Sequence, residues 1–282
     1  MESVMFVLPG LEGAAVALEP LCRRLRIKVC GLQLGVEHRH EDLHRMVDRL
    51  HETVRSRLAP GANFWILGYS FGSLLALELA AKLESEGSKG TVFCLDGAPE
   101  FLYAFLTMTI AFKNEFQLQN SLLCHTVDII APNNDVTKDL MEKLNEIESY
   151  EERVVYTINA SPVQSKYSNK YIASVAAVTL DRLKVVLNYD MKNIKKLKSP
   201  IILLRPKENP LNMVVEENYG LDKLTEAGVT VHFLEGNHVT IIENKDVANI
   251  INKVLHESDP QKVKLTQDVV AGMVHTPKHV EV

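Results

Sequence analysis

The sequence predicts an α/β fold: a doubly wound, mostly parallel sheet with an inserted all-helical cap. Three observations carry the prediction. Strand-like apolar runs alternate with stretches of helical periodicity, and strands separated by helices of that length are joined by parallel crossovers. The strand runs are continuously apolar rather than alternating, as expected when both faces of a sheet are covered. About 100 residues with no strand pattern then separate the fourth run from the fifth, far more than one crossover needs.

The elements follow in order. A strand is expected at 4–8 in "SVMFVLPG", then a helix near 14–25, a strand in "KVCGLQ" and a helix near 41–58. "NFWILG" is the third strand, a helix over 71–86 follows it, and "GTVFCLDG" is the fourth strand. From 99 to 198 the chain reads as helical, including "KDLMEKLNEIESYEERVVYTINA" and "KYIASVAAVTLDRLKVVLNYD". The strand pattern resumes in "SPIILLRPKEN" and "VTVHFLEGNH", and the amphipathic stretch "VANIINKVLHE" closes the fold. The expected division is a core of 1–98 and 199–257, a helical cap of 99–198, and a loosely attached tail of 258–282. An insertion at that point lies over the carboxyl ends of the strands, where open α/β sheets bind ligands.

Composition narrows the function classes. The 282 residues are 46% hydrophobic, enough for one large domain with an inserted subdomain. A net charge of −5 carries no nucleic-acid footprint. Cys22, Cys30, Cys94 and Cys124 lie far apart with no CxxC pair, which argues against a zinc site or a disulfide scaffold. A reducing, cytoplasmic location is expected. The apolar N-terminal stretch lacks a basic start and is interrupted by Glu2 and Glu12, so it reads as a strand and turn rather than a signal peptide. No run reaches the roughly 18 apolar residues of a membrane span.

The pentapeptide "GYSFG" sets Ser70 between Gly68 and Gly72 where a strand turns into a helix. That is the context of a nucleophile elbow, a tight turn that holds a serine above the end of a sheet. A serine hydroxyl needs a base within hydrogen-bond reach and a third group to orient that base. On this fold the order along the chain is serine, acid, histidine. Of ten histidines, His38, His40, His44 and His51 precede Ser70, His125 lies in the cap and His232 inside a strand pattern. His256, His275 and His279 read as surface residues, whereas His238 directly follows the last strand, so it is the expected base. Two strand-end carboxylates compete for the acid: Asp96 in "FCLDGAP" and Glu208 in "RPKENP". Oxyanion donors are expected from the N–H of Phe71, at the helix N-terminus, and of Leu11, in the loop "LPGLEG". The apolar stretch 101–112, with Phe101 and Phe105, is a candidate wall for an acyl channel. The basic run 192–198 reads as a solvated face, with an acidic partner as the alternative.

Taken together, "GYSFGSLLALELA", "LDGAP", "EGNHVTIIEN", "PGLEG", "CGLQ" and "YEERV" resemble the thioesterase domain of animal fatty acid synthase, with the motifs in order across roughly residues 4–256. The chain departs from vertebrate members, which tend to read HPIEG for PGLEG and GDH for GNH. The resemblance implies an α/β-hydrolase fold with a helical insertion. It also implies Ser70 as nucleophile, His238 as base, Asp96 rather than Glu208 as acid, and Leu11 and Phe71 as oxyanion donors. The implied reaction is release of a long-chain fatty acid from an acyl carrier protein or acyl-CoA. No metal or organic cofactor is implied, since the substrate rides on phosphopantetheine. A place within, or descent from, a larger synthase is a further expectation of the resemblance. The rival expectations are a carboxylesterase or lipase-like oxoester hydrolase, a transacylating or cyclising thioesterase, and a non-catalytic acyl-binding module.

Overall fold

Period-2 alternation divides the strand side chains between two cores, one on each face of the sheet. In the computed structural model, which describes residues 3–109, 114–130, 136–160, 168–190, 195–208 and 214–258, six strands form one sheet. They are β1 (Val4–Leu8), β2 (Lys28–Gly31), β3 (Phe64–Tyr69), β4 (Gly90–Leu95), β5 (Ile201–Pro206) and β6 (Val229–Leu234). Their order is β2-β1-β3-β4-β5-β6, and every pairing is parallel. Phe6, Leu8, Ile66, Val92, Cys94, Ile201 and Leu203 face one core. Met5, Val7, Trp65, Leu67, Phe93, Leu95, Ile202 and Leu204 face the other.

Helices cover both faces. On the first lie α2 (Leu43–Arg55) and α3 (Phe71–Ser85). The Asp42 side chain caps α2 by accepting from the Arg45 N–H at 2.8 Å, and its buried Leu43, Met46, Val47, Leu50 and Val54 recur at helical spacing. Helix α3 is buried nearly all round, as a helix pressed between the sheet, α2 and the cap must be. On the second face lie α1 (Glu19–Cys22) and α9 (Lys245–Ser258), with Val247, Ala248, Ile251 and Leu255 turned inward. The expected helix near 14–25 is instead a 3-10 turn (Ala15–Leu18) followed by the four-residue α1. Pro20, which has no N–H to donate, sits in the first turn of α1.

Between β4 and β5 the described chain is helical: α4 (Pro99–Thr109), α5 (Glu115–Ile130), α6 (Val136–Leu144), α7 (Tyr150–Ala160) and α8 (Asn169–Leu187). Leu123, Cys124, Val127, Leu140, Leu144 and Val154 form a small core of their own. Leu102, Leu106, Leu118, Leu122, Leu180 and Leu183 join these helices to the first sheet core. Arg153 of the "YEERV" motif is 1% exposed. Its Nη1 donates to the Ile147 and Glu148 carbonyls at 2.9 and 2.8 Å, which ties α7 to the turn before it. In the basic run, Lys195, Lys196 and Lys198 are exposed while Leu197 is buried and bridges to Thr225. Residues 192–194, 110–112 and the tail 259–282 lie outside the described residues.

Among the described residues, no helix is long and apolar enough to cross a membrane. All four cysteines are free thiols, and burial pushes those of Cys22 and Cys94 up to about 12.

Candidate active site

The chain steps from β1 outward to β2, then crosses back to place β3 on the other side of β1. That reversal opens a crevice at the carboxyl ends of β1 and β3. Leu11 follows the first of these strands and Ser70 the second.

Ser70 occupies a left-handed conformation, φ 53° and ψ −121°, between β3 and α3. A non-glycine residue held there costs on the order of 1–3 kcal/mol, so the surroundings must enforce it. The Ser70 N–H donates to the Leu95 carbonyl of β4 at 3.0 Å. The two flanking glycines make room. A Cβ at Gly72 would lie 2.5 Å from the Leu8 carbonyl oxygen, and one at Gly68 would lie 2.3 Å from the Gly72 carbonyl oxygen. Both are backbone atoms that cannot yield cheaply, so the elbow closes only with glycine at each position. Phe71 is the first residue of α3, where an N–H has no intrahelical acceptor.

The structure brings three of the expected residues together. His238 Nε2 is 3.0 Å from Ser70 Oγ, and His238 Nδ1 is 2.6 Å from Asp96 Oδ2. Asp96 is 2% exposed and also has a positive φ, 46°. Its N–H donates to Leu204 on β5 at 2.9 Å, which fixes the carboxylate between β4 and β5. Glu208, the competing carboxylate, is exposed and lies beside the Asn237 side-chain amide at 3.5 Å. His238 follows β6 in a turn capped by Asn237, whose Oδ1 accepts from the N–H groups of Val239 and Thr240, both at 3.0 Å. An aspartate carboxylate accepts the same two bonds, so the Asn-for-Asp departure leaves the turn chemistry intact.

Tyrosines complete the histidine's setting, and neither was singled out from sequence. The Tyr219 hydroxyl donates to Asp96 Oδ1 at 2.9 Å, filling the carboxylate oxygen that His238 leaves free. Tyr219 sits at φ 56°, is stacked on Phe101 at 4.0 Å and is covered by the Arg205 guanidinium at 4.4 Å. The Tyr69 hydroxyl donates to the His238 carbonyl at 2.8 Å, and its ring stacks on the imidazole at 5.1 Å. Burial, followed by neighbouring carboxylates, raises both phenols well above their ordinary range, so both remain donors at neutral pH.

A cavity of about 480 Å³ opens on these residues, within the roughly 300–1,000 Å³ of small-molecule sites. Leu11, Tyr69, Ser70, Phe71, Asp96 and His238 line its polar end. Most of the rest is apolar wall from four cap helices, including Phe101 and Phe105 from α4, Leu122 from α5, Val154 from α7 and Ile172 and Leu183 from α8, while Thr157, Thr179, Arg205, Glu208 and Tyr219 also line it. Glu12 also lines it. Burial raises the Glu12 carboxyl, against the backbone amides of Glu12 and Gly10 and the charges of Arg182 and His238.

Comparison with known proteins agrees with this geometry. Residues 4–114 match the family model described as a thioesterase domain. Among solved structures, 92% of this chain superimposes on a four-domain nonribosomal peptide synthetase at 16% identity and a TM-score of 0.69; it spans 20% of that chain. ClbQ from the colibactin NRPS/PKS pathway matches over 91% of this chain and 98% of its own, at 14% identity and a TM-score of 0.59. The type II thioesterase BorB from the borrelidin biosynthetic cluster matches over 91% of each, at 19% identity and a TM-score of 0.54. The chain therefore shares the α/β-hydrolase fold of these structures, and the stretch that matches the thioesterase-domain model carries Leu11, Ser70, Phe71 and Asp96.

Proposed function

We propose that the protein is a serine hydrolase that releases a long-chain fatty acid from an acyl thioester, borne by an acyl carrier protein or coenzyme A. The observation that carries this reading is the Ser70–His238–Asp96 hydrogen-bond chain, at 3.0 and 2.6 Å, set at one end of a cavity whose wall is mostly apolar.

Ser70 Oγ attacks the thioester carbonyl carbon while His238 Nε2 takes the hydroxyl proton. The tetrahedral oxyanion is held by the N–H groups of Phe71 and Leu11. Its collapse breaks the C–S bond; the thiolate leaves and is protonated, and the acyl group stays on Ser70. Water then attacks the acyl-serine, gives its proton to His238, and the fatty acid leaves as Ser70 regains its proton. Asp96 holds the imidazole with Nδ1 protonated, which leaves Nε2 free to accept. The phosphopantetheine arm arrives with the substrate, and no cofactor of the protein's own enters the scheme. The four free thiols suit a reducing compartment such as the cytoplasm.

The mostly apolar cavity wall supports an apolar acyl group. Each methylene taken from water into such a wall contributes about 0.8 kcal/mol, roughly three- to four-fold in affinity. A second reading, a carrier-borne polyketide or peptide, is favoured by the likeness to ClbQ and BorB. The test is a panel of acyl-CoAs from C2 to C18 beside matched oxoesters and a peptidyl thioester. Activity that climbs from C8 to about C16, with oxoesters slower, supports the proposal. Equal rates on acetyl and palmitoyl thioesters, or a preference for short oxoesters, would replace it with a general carboxylesterase. Preference for the peptidyl thioester would select the second reading.

A further inference from the structure

We infer that Arg182, on cap helix α8, is a positioning residue that couples the acyl-cavity wall to the oxyanion donor at Leu11. The inference rests on the proposed reaction and names a device within it.

Arg182 is 3% exposed and reaches across to two loops of the sheet. Its Nη1 donates to the Leu11 carbonyl at 2.7 Å and its Nη2 to the Gly35 carbonyl at 2.6 Å. The loop after β1 is thereby joined to the loop after β2, alongside the Leu34 N–H bond to the Gly13 carbonyl at 3.1 Å. The guanidinium fills space that a glycine leaves: a Cβ at Gly13 would lie 2.3 Å from Nη1.

Two consecutive peptides at Leu11 are held, one from within the loop and one by Arg182. The Gly10 carbonyl accepts from the Gly13 N–H at 3.0 Å. In a planar trans peptide the Leu11 N–H then points the opposite way, and Leu11 lines the cavity beside Ser70. The next peptide is fixed by Arg182 at the Leu11 carbonyl. The donor N–H belongs to the first of these planes, and the second, joined to it at the Leu11 Cα, is anchored from the cap.

The same helix forms part of the cavity wall. Val175, Thr179 and Leu183 of α8 line it. Asp181, next to Arg182, accepts from Arg39 Nε at 2.6 Å and from the His40 N–H at 3.1 Å, so α8 is anchored on this side by two consecutive residues. Besides the two carbonyls, the guanidinium feels the charge of Glu12, which opposes the burial that lowers its pKa. Burial pushes its pKa down to about 10, which still leaves it charged at neutral pH.

The test compares wild type with Arg182→Ala and Arg182→Lys. Active sites are titrated with a fluorophosphonate, and kcat and KM for C8 and C16 acyl-CoA are then measured per titrated site. Losing an oxyanion donor outright costs about 10²–10³ in kcat. A donor that is misaligned rather than lost should lower kcat about ten-fold in Arg182→Ala, with KM within a few-fold. Arg182→Lys should recover part of the loss, because an ammonium can hold one carbonyl but not bridge both. Arg182→Ala with a lower Tm or titratable fraction but wild-type kcat per titrated site would show a structural role only and overturn the inference. Should Arg182→Ala fail to fold, wild-type kcat in Arg182→Lys would overturn it equally. A wild type that neither labels nor turns over acyl-CoA would instead sink the proposed reaction itself, and the inference with it.

Discussion

Asp96 and Glu208 show what a single residue's surroundings decide. Both are carboxylates at the ends of neighbouring strands, in an order along the chain that suits an acid, and sequence position alone cannot separate them. Asp96 is buried and shared between His238 and Tyr219, whereas Glu208 is exposed beside Asn237. Asp96→Asn should therefore lower kcat by on the order of 10⁴, since it favours the wrong imidazole tautomer. Glu208→Gln should leave kcat within a few-fold, and steady-state kinetics of the two variants checks both. Tyr219→Phe removes one hydrogen bond to a charged group, worth about 1.5–3 kcal/mol. It should lower kcat about ten-fold with little change in KM, whereas an unchanged kcat would make the tyrosine a packing residue only. Neither Tyr219 nor Arg182 was legible in the sequence. Their contacts span 123 and 171 residues, and nothing local marks a tyrosine in a loop or an arginine on a helix as a partner of so distant a group. Ser70 and His238 were legible because each is marked by its immediate neighbours: two glycines, and the end of a strand.

At the scale of elements, periodicity served the sheet better than the first helix. The four inner strands, β1, β3, β4 and β5, are paired on both edges and packed into both cores, so their apolar runs are continuous and easy to read. Edge strand β6 was found despite its half-exposed pattern, because Gly228 and Gly236 bracket it. The short first helix was overestimated because its apolar residues suit a helix, while Pro20 and the tight Gly13 turn restrict how far one can form. The cap helices make a prediction of their own. Phe105 lines the cavity and lies 6.4 Å from the His238 ring. Phe105→Asp should cut turnover of C16 thioesters much more than that of C8 thioesters, measured as the ratio of the two kcat/KM values. An equal loss for both would mean that α4 supports the triad rather than the acyl chain.

For the whole molecule, the buried carboxyl of Glu12 ties folding stability to pH. Burial raises its pKa above the ordinary 4.5. The folded state then holds this proton more tightly than the unfolded chain, so the group's contribution is intact below the ordinary value. It is lost as pH rises through the raised folded value. Glu12→Gln carries no such penalty. Its stability relative to wild type should increase as pH is raised from about 4 toward 8, measured by denaturant unfolding at each pH. A constant difference across that range would place the carboxyl in a better-solvated setting than its burial implies. The overall architecture was legible because strand, crossover and insertion lengths leave few ways to build a parallel sheet. The joining of cap to sheet through Arg182 was not, because it depends on how two separately predictable units meet.

The central claim is that Ser70 is an activated nucleophile, and covalent labelling tests it most directly. Wild type and Ser70→Ala are treated with a fluorophosphonate and the adduct is located by peptide mass spectrometry. A single adduct on Ser70, absent from Ser70→Ala, is the predicted result. Labelling that persists unchanged in Ser70→Ala, or maps to another residue, would contradict the account.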